Sequence, residues 1–318
     1  MKKSYPYAQK NLSRIAFVSG NTRTGKVLTL KIISSFKNVE KGNVDFLMEQ
    51  ANLLTITKDI KKETAIYYLR RAFSILEYNL RIGREVNFRK GDFTSVYEYQ
   101  NPQKYLNNLK SKEGDDVIKS IKKEKRIIPF LIHVGLNTPN IFLAFHKFVI
   151  FEMIRNPITA IFSWINKNYD NDFYYSYRNS SLTINYKNKI LPFYAYGWEE
   201  KFLKLNKFER IIEMFYILEK QKEKVLKKLK KSDLNKIYYI KLEDLYLNPK
   251  IIISKIEKIL GRKKTSFTNK VLKKEKLPRI EKNYQINKNR DLIKANISKN
   301  YYSKLLYLEK KYNIVKTL

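Results

Sequence analysis

The sequence predicts a three-layer α/β/α domain with a central parallel sheet, and three observations lead to this fold class. Apolar segments of strand length recur along the chain. Segments with helical periodicity lie between them, and strands that alternate with helices are typical of a parallel sheet flanked by helices. The chain has 318 residues, of which 43% are hydrophobic, so a sizeable core can form and we expect one domain over 1–318.

The first elements are a strand, a glycine loop and a helix. The apolar run 14–19 predicts a buried strand, and 26–36 continues as a helix. Asn43 is a typical N-cap for the next helix. A further helix ends at Gly83. Its apolar stripe consists of Ile66, Leu69, Phe73, Leu76 and Leu80.

Two long insertions interrupt the middle of the chain, and we expect both on the substrate side. The first, 84–125, combines a polar and aromatic loop with a charged surface helix. The second, 167–200, is irregular and rich in tyrosine, and long loops in compact domains are usually functional. The elements between them are predicted strands at 127–132 and 148–154 and a helix at 158–166 with Pro157 at its first position.

The last third of the chain begins with a long helix over 206–231, whose lysines form a solvated face. A short strand over 237–240 follows, then "KLEDLYLNP", which we interpret as a turn. A helix over 250–260 ends at Gly261. The remaining segment, 262–318, is a lysine- and asparagine-rich tail with a final amphipathic helix near 298–312.

Composition narrows the classes of function. Without cysteine the chain has neither disulfides nor thiolate metal sites, and two histidines, His133 and His146, exclude a histidine-rich metal site. The net charge of +35 favours polyanionic partners: nucleic acid, an anionic membrane or an anionic cofactor. The basic N-terminus lacks the apolar region of a signal peptide, and polar residues interrupt the most apolar stretch, 127–154. We therefore expect a soluble, cytoplasmic protein with at most peripheral membrane contact.

The loop after the first strand reads "GNTRTGKV", which is the phosphate-loop pattern G-x-x-x-x-G-K up to its last position. In ATP and GTP sites that position is a Ser or Thr whose hydroxyl binds magnesium, and here it is Val27. Gly20 and Gly25 let the backbone bend around a phosphate, and Arg23 and Lys26 add positive charge. Because the predicted strands end in polar or basic residues, the sequence favours a site that neutralises an anion without a metal.

A second motif, "IRNPITAIFSW", follows the strand at 148–154. Arg155 leaves the strand, and Ser163 lies about two turns into the helix that follows. An arginine can direct two donors at one phosphate, and a serine can add a third. An Asn-Pro helix cap beside an incidental arginine would give the same letters, so the motif gains weight mainly from the glycine loop before it.

These motifs resemble those of the sulfotransferases that use 3′-phosphoadenosine-5′-phosphosulfate (PAPS), among them microbial and cytosolic-type members. The family's loop P-[KR]-[ST]-G-T-[ST] matches "NTRTGKVL", and its Arg-Asp/Asn-Pro with a downstream Ser matches Arg155, Asn156, Pro157 and Ser163. A third feature, [YF]-E-D-L…P before a helix that ends in Leu-Gly, matches "KLEDLYLNP" and "KILG". The resemblance covers about 15–261. The chain has Lys26 and Val27 where the family usually has two hydroxyl residues.

The resemblance implies a single sulfotransferase domain with the fold of the phosphate-loop NTPases and a cofactor core at about 14–261. It implies PAPS as cofactor, adenosine 3′,5′-bisphosphate as product and no metal. Arg23 stands at the position of the family's catalytic Lys or Arg, with Lys26 assisting. The 5′-phosphosulfate would be bound by the loop, and the 3′-phosphate by Arg155 and Ser163. The implied cofactor residues of the loop are Thr22, Arg23, Thr24, Gly25, Lys26 and Val27.

Several residues are candidates for the acceptor side. Cytosolic members carry a K-x-H motif ahead of the Arg-Asp/Asn-Pro strand, and "LIH" places His133 comparably, so it is a candidate base; a structural role at the strand end is about equally favoured. Asp92 and Glu199 are competing bases. The other acceptor candidates are Arg84, Asn87 and Arg89, which would hold an acidic glycan, and Trp198 with Tyr194 and Tyr196, which would stack on a sugar or pack in the core.

Two other functions stay open at this stage. A phosphate-loop kinase of a small metabolite would use the same glycine loop. A basic nucleic-acid-binding protein would use the positive surface and the many tyrosines, although no RNA-binding or helix-turn-helix signature supports specific recognition. The sequence does not identify the acceptor.

Overall fold

A central sheet of four parallel strands organises the computed structural model, which describes residues 11–170, 181–280 and 283–318. The strand order is β2-β1-β3-β6, and every neighbouring pair is parallel. In the register, Phe17 of β1 lies between Phe130 of β2 and Ile150 of β3. The strands are β1 (Arg14–Ser19), β2 (Ile127–Leu131), β3 (Phe148–Ile154) and β6 (Ile237–Lys241), and a separate hairpin contains β4 (Thr183–Tyr186) and β5 (Lys189–Pro192).

Helices fill the connections between the strands. In chain order they are α1 (Lys26–Ser34), α2 (Phe46–Leu53), α3 (Lys62–Ile82), α4 (Pro102–Asn108), α5 (Asp115–Glu124), α6 (Asn140–Ala144), α7 (Pro157–Asn166), α8 (Glu199–Lys204), α9 (Lys207–Leu226), α10 (Lys231–Leu234), α11 (Leu242–Leu247), α12 (Pro249–Leu260), α13 (Ser266–Lys274), α14 (Asn283–Ala295) and α15 (Lys299–Ile314).

The sheet is buried on both faces, which gives the predicted three layers. Successive side chains of a strand point to opposite faces. Thus Ala16 and Val18 pack with α1 and α12 on one face, whereas Ile15 and Phe17 pack with α3 and α6 on the other. A third apolar cluster lies around the buried Trp164 and joins α7, α9 and α15 to the hairpin. The strands therefore carry continuous apolar runs, as parallel strands covered on both faces do.

Most predicted elements agree with the structure, although the helix predicted over 206–231 ends at Leu226 and the charged segment before β2 forms two helices, α4 and α5. Three predictions differ in kind. The segment "KLEDLYLNP" is not a turn, because Leu242 to Leu247 form α11 before α12 begins at Pro249. The cap of α2 is Asp45, whose side chain accepts from the Met48 N–H. Asn43, the predicted cap, instead donates its side-chain amide to the carbonyls of Lys41 and Pro129.

The hairpin is the third difference, since it lies in the 167–200 segment that was expected to be irregular. Its two-residue loop, Lys187 and Asn188, has φ values of 49° and 61°, the left-handed geometry of a type I′ turn. The part of that insertion at 171–180 lies outside the described residues, as do 1–10 and 281–282. Within the described chain, no helix combines the length and the apolar character needed to cross a membrane.

Candidate active site

A glycine loop joins β1 to α1 and lies very close to its neighbours. Gly20 has a φ of 132°, and a Cβ there would lie 2.3 Å from the Met153 carbonyl oxygen. Gly25, the residue before α1, has a φ of 88°, and a Cβ there would lie 2.4 Å from Leu242 Cδ1. Only glycine combines this backbone conformation with so close an approach. The sequence therefore forms the loop by placing glycine at the two positions where β3 and α11 touch it.

Side chains donate hydrogen bonds to the backbone carbonyls of the loop. Lys26 Nζ donates to the carbonyls of Gly20 at 2.9 Å and Asn21 at 2.5 Å. Thr24 Oγ1 also donates to the Asn21 carbonyl, and Trp164 Nε1 donates to the Thr22 carbonyl at 2.9 Å. The carbonyls are thus engaged on the protein side. Because a loop at a helix N-terminus presents its N–H groups in the other direction, this arrangement suits an anion.

Lys26 is almost fully buried, and this burial lowers the pKa of its ammonium to about 7, although Glu49 and Glu152 oppose the shift. Its hydrogen bonds tie it to the loop itself. The structure thus gives Lys26 a positioning contact, and its predicted catalytic assistance stays a prediction.

Arg23, Arg155 and Ser163 meet at this loop. Arg23 Nε donates to Ser163 Oγ at 3.3 Å, and Arg155 Nη1 donates to the Arg23 carbonyl at 3.2 Å. Asn156 fixes the start of α7, because its Oδ1 accepts the N–H groups of Ile158 and Thr159. Two turns on, α7 presents Ser163 to the loop. The two sequence motifs, more than 120 residues apart, therefore form one cluster of donors.

Two cavities adjoin this cluster, and both are lined by Arg23 and Arg155. The first, of about 480 Å³, extends along α7 to Ser163 and is also lined by Gln285 and Asn289 of α14. We call it the α14 cavity. The second, of about 450 Å³, extends from the loop across the start of α1 toward α2 and the hairpin. We call it the α2 cavity. Val27, 37% exposed, lines the α2 cavity with an apolar side chain.

His133 lies in the α2 cavity, two residues beyond the end of β2, and is paired with a residue that the sequence did not single out. Its Nδ1 lies 2.7 Å from Glu49 Oε2, which also accepts the His133 backbone N–H at 3.0 Å. The His133 N–H groups and Lys26 lower the pKa of Glu49 despite its burial, so the carboxylate is ionised. An ionised carboxylate only accepts, so Nδ1 carries a proton and Nε2 has a free lone pair.

Burial and the nearby Lys26 lower the pKa of His133, and the Glu49 carboxylate only partly reverses this effect. The imidazole is therefore neutral near pH 7, as a base must be before it takes a proton. Glu49 was missed because a single glutamate on an amphipathic helix is typical of an exposed face. Here it is 6% exposed, and nothing in the local pattern of α2 marks it as buried.

All but one of the other predicted acceptor residues lie outside the described lining of the α2 cavity. Arg84 pairs with Glu113, and Arg89, whose side chain is 83% exposed, lies near Asp92. The Asn87 amide donates to Asp92 and Thr94 of its own loop. In the hairpin region, Trp198 Nε1 donates to the Tyr194 carbonyl, Glu199 accepts the Gly197 N–H, and Tyr196 is half-buried. Of this second group only Tyr194 lines the cavity, and it does so while buried.

Fold and loop together define a class: a three-layer α/β protein with a glycine loop at a helix N-terminus, of the type that binds phosphate. No family model matches the chain, and no curated protein matches it.

Solved structures do match, and several are sulfotransferases. The sulfotransferase STF1 from Mycobacterium tuberculosis H37Rv is 10% identical, with a TM-score of 0.42 over 83% of this chain and 71% of that one. The sulfotransferase domain from the curacin biosynthetic pathway is 11% identical, with a TM-score of 0.41 over 82% and 77%. A sulfotransferase from Alicyclobacillus acidocaldarius is 13% identical, with a TM-score of 0.37 over 96% and 97%. Since identities and TM-scores are this low, the inference on function rests on the residues of this chain.

Proposed function

We propose that this protein is a PAPS-dependent sulfotransferase that acts on a hydroxyl acceptor. The observation that carries the proposal is the convergence of Arg23, Arg155 and Ser163 on a glycine loop whose next helical position, Val27, has no hydroxyl. Two arginines and a serine beside a glycine loop at a helix N-terminus suit a ligand with two phosphate-type groups. A kinase would need a magnesium-binding hydroxyl where Val27 stands.

The donor set fits PAPS in two places. The N–H face of the Gly20–Lys26 loop would hold the 5′-phosphosulfate, and Arg155 with Ser163 would hold the 3′-phosphate from the α14 cavity. PAPS supplies an activated sulfuryl group, whose in-line transfer has a loose transition state and leaves charge on the departing phosphate oxygen. Arg23 would stabilise that charge; the support is that it belongs to the loop and lines both cavities.

His133 and Glu49 would activate the acceptor. Neutral Nε2 accepts the proton of the acceptor hydroxyl, and the Glu49 carboxylate holds Nδ1–H and stabilises the imidazolium that forms. The proton remains on His133 until solvent removes it after transfer. Both residues line the α2 cavity together with Arg23, whereas Ser163 lines only the α14 cavity, so the acceptor would reach the loop through the α2 cavity.

The lining of the α2 cavity favours a neutral acceptor with an apolar or aromatic body over the acidic glycan expected from the sequence. Beyond the loop and Arg155, the lining residues in the described chain that can carry a charge are Glu49, which is ionised, and His133, which is neutral near pH 7. An ionised Glu49 would repel a carboxylate or sulfate. Apart from Ser181, the rest of the lining is apolar or aromatic, and it includes Phe46, Leu53, Leu131, Tyr169, Phe193 and Tyr194.

A thermal-shift comparison tests the donor. Adenosine 3′,5′-bisphosphate at 100 times its Kd should stabilise the protein by about 2.7 kcal/mol, roughly 5 °C, whereas ADP with magnesium should not. Arg155→Ala should abolish the shift, and Arg71→Ala, which removes an exposed arginine from α3, should preserve it. Stabilisation by ADP with magnesium alone would instead identify a kinase. Salt-sensitive binding of random oligonucleotides without a response to either nucleotide would identify a nucleic-acid-binding protein.

A further inference from the structure

We infer that the C-terminal helix α15 positions the donor site, through a hydrogen-bonded chain from Tyr312 to Glu243 to the backbone of Asn156. This inference rests on the proposed function, because it assigns a positioning role for the same site. Tyr312 Oη donates to Glu243 Oε2 at 2.8 Å. Glu243 Oε1 accepts the N–H of Asn156 at 2.8 Å.

The Asn156 N–H connects Glu243 to the two residues proposed to bind the 3′-phosphate. It belongs to the peptide unit that joins Arg155 to Asn156, so the Glu243 carboxylate fixes the backbone of Arg155 where the chain leaves β3. Asn156 also caps α7, which carries Ser163. One carboxylate therefore orients both predicted ligands of the 3′-phosphate. These contacts give a role to Glu243, the glutamate of "KLEDL", for which the sequence alone predicted none.

The end of the chain lies against the same region at further points. Lys241 Nζ lies 4.6 Å from the centre of the Tyr312 ring, and Thr317 Oγ1 donates to Asp244 Oδ2 at 3.4 Å. The Leu318 N–H donates to the Tyr239 carbonyl of β6 at 3.0 Å. A small cavity of about 70 Å³ separates Tyr312 from the loop residues Asn21 and Thr24. α15 and the residues that follow it thus contact β6 and α11, next to the glycine loop.

The chain offers a matched control on the same helix. Tyr307 Oη donates to Glu223 Oε1 on α9 at 2.5 Å, so Tyr307→Phe removes a comparable tyrosine–glutamate hydrogen bond that is remote from Asn156. Tyr312→Phe should weaken adenosine 3′,5′-bisphosphate binding in calorimetry about five- to tenfold, the loss expected for one hydrogen bond that orients the ligands, whereas Tyr307→Phe should change it less than twofold. Both variants should have similar urea midpoints.

Two further variants separate positioning from folding. Glu243→Ala should weaken bisphosphate binding at least as much as Tyr312→Phe, whereas Glu243→Gln keeps an oxygen that accepts the Asn156 N–H and should restore most of the affinity. The KM for the acceptor should stay within twofold in each variant, because the α2 cavity does not include Glu243 or Tyr312. Equal bisphosphate affinities in wild type, Tyr312→Phe and Glu243→Ala would overturn the inference.

A ligand-free measurement keeps this test independent of the proposed function. Amide hydrogen exchange of the peptide containing Asn156 should accelerate severalfold in Tyr312→Phe but not in Tyr307→Phe. If the wild-type protein binds no bisphosphate, the proposed function fails, and the exchange result still decides whether α15 holds this peptide unit. Unchanged exchange in Tyr312→Phe would overturn the inference whatever the ligand.

Discussion

The proposed role of the His133–Glu49 pair predicts how far kcat should fall in Glu49→Gln. The amide keeps the shape of the side chain and an oxygen that accepts both His133 N–H groups, so the loss is mainly that of one negative charge. The 2.7 Å contact then has a neutral amide acceptor instead of a carboxylate, which stabilises the protonated imidazole by about 1–2 kcal/mol less. Since 1.36 kcal/mol is a factor of ten, kcat should fall about 5- to 30-fold.

The pH dependence gives a second readout with a defined sign. The Glu49 carboxylate raises the pKa of His133 against the larger effects of burial and Lys26, so its removal lowers that pKa further. His133 acts as a base in its neutral form. The acidic limb of the kcat–pH profile should therefore move to lower pH in Glu49→Gln.

The assay is transfer of labelled sulfate from PAPS to 2-naphthol, followed from pH 5 to 8. Glu213→Gln is the matched control, because this glutamate of α9 is 5% exposed and pairs with Lys201 and Lys304 away from the α2 cavity. Glu213→Gln should change the stability of the protein but leave the acidic limb of the kcat–pH profile at the same pH as in the wild type. A kcat within twofold of wild type, or a limb that moves to higher pH in Glu49→Gln, would refute the assignment of this pair.

Three further predictions concern the loop, the acceptor and the buried charges. Gly20→Ala should destabilise the protein by more than about 1 kcal/mol in urea unfolding, and by more than Gly91→Ala, whose φ of 90° is also positive but whose Cβ would contact nothing within 4 Å. Phe46→Ala should raise the KM for 2-naphthol about tenfold, because Phe46 lines the α2 cavity. Leu47→Ala should not, because Leu47 is exposed and lies outside that cavity. Faster transfer to glucuronic acid than to 2-naphthol would contradict the proposed class of acceptor. The pKa of Glu40 is lowered by Lys104 and other cations, so its contribution to stability is complete above about pH 5 and is lost as pH falls below 4.5. Glu40→Gln should flatten that acid decline in urea midpoints, and an unchanged decline would exclude Glu40 as its source.

The parallel sheet could be predicted from sequence because its strands are buried on both faces. Such strands are continuous apolar runs, and the predicted bounds of β1 and β3 agree with the structure at both ends. The loop and Arg155 could be predicted for a similar reason, since glycines with positive φ and an arginine directly after a strand leave local signals.

The pairing of His133 with Glu49 could not be predicted, because packing brings these two residues together. Glu49 faces His133 only because α2 packs beside the end of β2, 84 residues away in sequence. The arginines at 84 and 89 appeared functional from their charge, but partners within their own region hold them elsewhere. In a chain with 65 lysines and arginines, charge alone does not identify a ligand. Local motifs thus predicted the loop and Arg155, and the fold was needed to find the contact between Glu49 and His133.

Arg23 and Arg155 line both the α14 cavity and the α2 cavity, and this placement has a kinetic consequence. A nucleotide held through Ser163 would lie in the α14 cavity and an acceptor held near His133 would lie in the α2 cavity, so each would have its own cavity beside the same two arginines. Neither would have to pass the other to enter or leave. We therefore expect sequential kinetics without a compulsory order, in which adenosine 3′,5′-bisphosphate competes with PAPS and is noncompetitive toward the acceptor.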